Sequence, residues 1–139
     1  MMRYPAMFAE APEGGFVVTF RDIPEAITQG DTEAEAMEMA EDVLVSSMEH
    51  YLEERRAVPA PSRPDAGEHL VHLPASVAAK VLLLNEQLAQ GVSNAELARR
   101  MGTRPQEVQR ITNLGHATKI DTIDRAMRAL GKELTLVAQ

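Results

Sequence analysis

The chain has 139 residues, no cysteine and a formal net charge of −7. A cysteine-free chain has neither disulfides nor thiolate metal sites. It also has no apolar run of membrane-span length and no signal-peptide pattern, so the expectation is a cytosolic protein of one or two small domains. The charge is uneven, since residues 1–64 carry five basic and thirteen acidic side chains while residues 92–132 carry eight basic and four acidic.

Residues 3–9 and 16–20 read as strands joined by a Pro12-Glu13-Gly14-Gly15 turn, and residues 26–30 as a short third strand ending at Gly30. Thr32 and Glu35 open a long helix through about Glu54. Its apolar stripe is Ala36, Met37, Ala40, Val43, Leu44, Met48, Tyr51 and Leu52, at spacings of three and four, and acids fill the opposite face. Pro59, Pro61 and Pro64 make residues 57–67 a loop and a plausible place for proteolysis. Leu70 to Leu73 is a further strand, ended by Pro74. Residues 76–90 form a helix with Val77, Val81, Leu84 and Leu88 inward. A last helix near 121–130 stops at Gly131, and Glu133 to Ala138 alternates as a final strand. The order predicts an α+β fold, with a sheet-plus-helix domain over residues 1–73 and a helical domain over residues 74–139.

Within the second domain, residues 93–111 read as a helix–turn–helix. Ser93 and Glu96 form a capping box, and Gly102 allows the left-handed turn that ends the first helix. Thr103 and Gln106 repeat the capping pattern, with Pro105 in the first turn. Ala98 is small where two helices approach closely. Val108, Ile111 and Leu114 are the buried side of a second helix drawn from Arg104 to Leu114. Its exposed side carries Gln106, Gln109, Arg110 and Asn113, the side-chain types that reach base edges and phosphates. The local excess of positive charge suits double-stranded DNA.

Enzyme chemistry finds little support. His69 and His72 are three apart on a strand and point to opposite faces. There is no Gly-x-Ser-x-Gly turn and no glycine-rich phosphate loop, and the acids are spread over a helix face instead of converging as a metal-dependent nuclease needs. No catalytic residue, metal or cofactor is assigned.

Two segments resemble known families. Residues 93–111 resemble the Cro/C1-type helix–turn–helix of bacterial and phage repressors. Residues 14–36 are similar to the core motif of the HicB antitoxins, through Gly15-Phe16, Asp22, Pro24, Thr28, Gly30, Thr32 and Glu35-Ala36. After Pro24 the chain has Glu25-Ala26 in place of the family's frequent Gly-Cys pair. The resemblance implies a partial RNase H-like fold for residues 1–73 without nuclease activity. It also implies a partner, a small basic HicA-like toxin that cleaves mRNA, whose active site the antitoxin occludes while its C-terminal domain represses the operon. An acidic domain is suited to speeding encounter with such a partner.

The expected DNA contacts are Gln106 and Gln109 at base edges, then Arg110. Asn94, Asn113, His116 and Lys119 are expected at phosphates, and Arg104, at the start of the second helix, is a further expected DNA contact. Glu10, Asp22 and Glu35 are the acidic candidates for the toxin. A homodimer or higher oligomer is expected, because one such module is too small for tight specific binding, and the strand at Glu133–Ala138 is either its dimer edge or a strand of its own domain. Two other readings fit the pattern less well: a transcription factor with an N-terminal small-molecule sensor, and an RNase H-type nuclease dependent on Asp22.

Overall fold

The structure is a computed structural model that describes residues 2–139. It is α+β, with elements in the order β1 (Arg3–Glu10), β2 (Phe16–Phe20), β3 (Ile27–Gly30), α1 (Glu33–Glu54), β4 (Glu68–His72), α2 (Ala75–Gln90), α3 (Asn94–Met101), α4 (Pro105–Ile111) and α5 (Ile120–Ala129). The chain divides into two compact units: Met1–Met48 with Pro59–Pro74, and Glu49–Val58 with Ala75–Gln139. The first carries three basic and twelve acidic side chains, the second eleven and nine.

In the first unit the sheet is antiparallel in the order β3-β2-β1-β4. Ala6 faces Phe20, Phe8 faces Val18 and Tyr4 faces Val71, so these side chains share one face. The buried stripe of α1, with Ala36, Ala40, Leu44 and Met48 all at 0% exposure, completes this core. Two glycines fix how closely the pieces approach. A Cβ on Gly30 would lie 2.4 Å from Ala36 N, and one on Gly15 2.7 Å from Gly30 O, so neither position has room for a side chain. Thr32 Oγ1 accepts from Glu35 N at 3.1 Å, which starts α1 where Thr32 and Glu35 predict it, and the Glu35 carboxylate reaches back one residue further, to Asp31 N at 3.3 Å. His69 stands in register with Ala6 and His72 with Arg3, hence on opposite faces of the sheet.

The proline-rich loop is tied down more firmly than its composition suggests. The Asp22 carboxylate accepts from both the N–H and the hydroxyl of Ser62, at 2.8 and 2.6 Å. Arg21 bonds Glu68 and the carbonyl of Arg63. In the second unit Val58 is buried, and both its main-chain groups bond the Asn85 carboxamide, at 2.8 and 3.0 Å. Between these anchors at Val58, Ser62 and Arg63 the loop is largely exposed.

The helices α2 to α5 of the second unit surround a core that includes Leu83, Leu97, Ala98, Val108, Ile111, Ile123 and Met127. Two expectations are corrected here. The second helix of the expected pair ends at Ile111, with Thr112 as its C-cap, so Asn113 and Leu114 belong to the following loop. Residues 133–138 form no strand. A strand requires a neighbouring strand edge, and the regular elements of this unit are all helices. The tail is anchored at Leu134, whose N–H donates to Asp124 Oδ1 at 3.0 Å, and beyond it Leu136 and Val137 are 79% and 61% exposed.

Candidate nucleic-acid interface

The pair α3 and α4 is built from short-range signals. Ser93 is the N-cap of α3, and its Oγ accepts from Glu96 N at 3.1 Å. Gly102 ends the helix at φ 69° and ψ 34°, its N–H donating to Arg99 O while Thr103 N–H reaches Ala98 O. Three residues, Gly102 to Arg104, then lead directly into Pro105 at the first position of α4. This corrects the second capping box. Proline occupies the position that has no use for an N–H, so Arg104 is the N-cap and makes no side-chain capping bond. Gln106 is thereby left exposed and without a capping role.

Val108 and Ile111 turn inward, Ala98 at 1% exposure lets α3 and α4 close on each other, and Gln106, Gln109 and Arg110 stay exposed. On α-helical geometry these three span an arc of about 100°. Arg110 lies 3.6 Å from Glu107, a loose exposed pair, whereas exposed Arg104 and Lys119 have no ion-pair partner among the described residues. Glu96 takes up both Arg99 and Arg100 at 2.5 and 3.2 Å. These two arginines, the first above all, hold the Glu96 carboxyl down to about 2. Glu96 thus takes up two of the eight cations of residues 92–132 and Asp124 takes up Arg128, while Arg104 and Lys119 stay unpaired among the described residues at the start of α4 and of α5.

Three side chains that sequence reasoning passed over organise this surface. Lys80, on α2, is 3% exposed, and its ammonium donates to the carbonyls of Asn113 (2.7 Å), His116 and Arg110 (3.5 Å). It neutralises the carbonyl end of α4 and fixes the loop that carries Asn113 and His116, while burial pulls its pKa below the usual lysine range. Gln87 is fully buried and donates to Asn94 Oδ1 at 2.9 Å. Arg55, just past α1, donates to the same oxygen at 3.2 Å. Only a polar residue on an otherwise apolar helix face hinted at the first two, and nothing hinted at the third. Asn94, Gln109 and Asn113 come together around one cleft of about 370 Å³, with Arg55, Glu49 and Glu53 on its wall. His116 and Lys119 follow along the loop into α5, where Lys119 is the N-cap.

The acidic candidates are not gathered. Glu10 ends β1, Asp22 is committed to Ser62, and Glu35 is committed to the start of α1.

The sequence has known relatives. Residues 3–82 match a family described as HicB-like antitoxin of bacterial toxin–antitoxin systems. Over 137 residues the chain is 59% identical to antitoxin HicB 2 of Photorhabdus laumondii, covering 99% of this chain and 96% of the relative. It is 52% identical over 136 residues to antitoxin HicB of Escherichia coli K12, covering 98% and 99%. Antitoxin HicB of Pseudomonas fluorescens is 38% identical over 140 residues, covering 98% and 93%.

Proposed function

Since the chain belongs to the HicB-like antitoxin family of bacterial toxin–antitoxin systems, we propose that it neutralises a small, basic, mRNA-cleaving HicA-like toxin and represses its own operon. In this reading the acidic unit, a partial RNase H-like domain without its own chemistry, covers the toxin's active site. The helical unit is a Cro/C1-type helix–turn–helix that sets α4 in the major groove of operator DNA.

The observation that carries the division of labour is the charge partition between the units: three basic to twelve acidic side chains in one, eleven to nine in the other. An RNase toxin must attract a polyanion, so its inhibitor gains from presenting negative charge. An operator-binding unit needs the opposite sign. In detail, Gln106, Gln109 and Arg110 read bases, while Asn94, Arg104, Asn113, His116 and Lys119 hold backbone phosphates. Two copies reading half-sites about 34 Å apart would supply the affinity that one module lacks. The tail at Glu133–Ala138, exposed beyond its anchor at Leu134, is suited to joining them, because pairing with its own copy across a two-fold axis would satisfy the rest of its main chain.

The test is growth and bulk mRNA integrity in cells expressing the small open reading frame adjacent to this gene, alone and with this chain. Toxicity with mRNA loss, relieved by co-expression, is the expected outcome. Toxicity that this chain does not relieve would overturn the assignment.

A further inference from the structure

Arg55 closes α1 with φ at 52°, the one non-glycine residue among those described whose φ is positive. Glycine ordinarily takes such a position, because a Cβ there crowds the following carbonyl oxygen. The bonds that stop the helix run from Arg55 N–H to Leu52 O at 3.3 Å and from Arg56 N–H to Tyr51 O at 3.0 Å. Both are main-chain bonds that glycine would make equally well, so the backbone gives no reason for an arginine. Its side chain does. Nη1 donates to Asn94 Oδ1 at 3.2 Å, and the buried Gln87 donates to that same oxygen at 2.9 Å. With Oδ1 engaged from both sides, the Asn94 carboxamide is set, and its free group is the Nδ2 donor, the polarity a phosphate oxygen requires. The rest of the guanidinium makes no ion pair among the described residues, although Glu49 and Glu53 line the same cleft.

We propose that Arg55 is a DNA-backbone contact, in which its guanidinium and the Asn94 Nδ2 grip one phosphate at this cleft while Gln87 positions Asn94. Strain kept at a residue whose side chain binds is a recurring sign of function, and a planar guanidinium beside an amide donor matches phosphate geometry. The assignment rests on the helical unit binding double-stranded DNA. The carboxylates on the cleft wall confine the phosphate to the Asn94 corner and oppose it, so they set how strongly it is held.

The test uses full-length protein, the duplex upstream of its own gene and an unrelated duplex, with affinity measured by fluorescence anisotropy over a range of salt. Arg55→Gly relieves the left-handed strain, so its thermal midpoint should equal or exceed that of the parent. Its affinity should nevertheless fall about tenfold on both duplexes, and the slope of log K against log salt should become shallower by about 0.9. Arg55→Lys should keep the parental slope, and Glu53→Gln should bind several-fold tighter. If the parent binds DNA and Arg55→Gly retains its affinity and slope, the Arg55 assignment is overturned alone. If the parent binds neither duplex, the DNA-binding reading fails and takes the assignment with it.

Discussion

At the scale of single residues, the ionisable groups that matter to the second unit are those that fasten loops. Lys80 satisfies three carbonyls around the end of α4 from an almost fully buried position. Methionine would fill its volume and leave those carbonyls without their donor, so Lys80→Met should lower stability by about 1–3 kcal/mol in urea unfolding. It should also weaken DNA binding, since the loop bearing Asn113 and His116 loses its anchor; unchanged stability would show the ammonium to be dispensable. Glu96 supplies a pH test. Arg99 and then Arg100 depress its carboxyl to about 2 from an ordinary value of 4.5. A depressed acid stabilises the fold fully above its unfolded value and loses that contribution as pH falls through its folded one. The stabilisation from this first-turn carboxylate should therefore be complete above about pH 5 and drain away between about 4.5 and 2. Carboxyl carbon shifts followed by NMR should place the Glu96 midpoint near 2, and a midpoint near 4.5 would mean that the arginine pairs do not persist in solution.

The elements were legible to the extent that their signals are local. Ser93, Gly102 and Pro105 act on the backbone within four residues of themselves, and α3 and α4 begin and end accordingly. The second capping box failed because a proline keeps the residue before it extended, so Arg104 cannot be the first helical residue and takes the cap position instead of Thr103. The C-terminal segment alternates like a strand, yet alternation states a preference for a partner and does not create one. Gly30 gives the element scale its sharpest prediction. Adding a methyl group would by itself favour folding by about 0.4–1 kcal/mol through the unfolded chain, but here the Cβ would meet Ala36 N at 2.4 Å. The steric term is larger, so Gly30→Ala should destabilise by about 1–3 kcal/mol net of that gain, measured by thermal or chemical unfolding. A neutral effect would mean that α1 and β3 are packed less closely than described.

For the whole molecule, the division of the chain runs through α1, whose last six residues, Glu49–Glu54, belong with the helical unit. If the two units act separately as proposed, removing residues 75–139 should abolish operon repression in a reporter strain and leave some toxin binding. Complete loss of toxin binding by a folded fragment would instead make dimerisation through the helical unit a requirement. The sequence by itself determined the class of the fold, the order of its elements, the separation of acidic and basic regions and the family. The first three are written in composition, in three-to-four-residue periodicity or in capping motifs that act over a turn of chain, and the family in the resemblance of residues 14–36 to a known motif. Only the tertiary structure decided which polar groups hold the α4 surface together. Lys80 and Asn113 are 33 positions apart and Arg55 and Asn94 are 39 apart, and no local pattern links residues at such distances. Burial and the folding of one helix against another put donor and acceptor within reach, and that is decided by the packing of the unit as a whole.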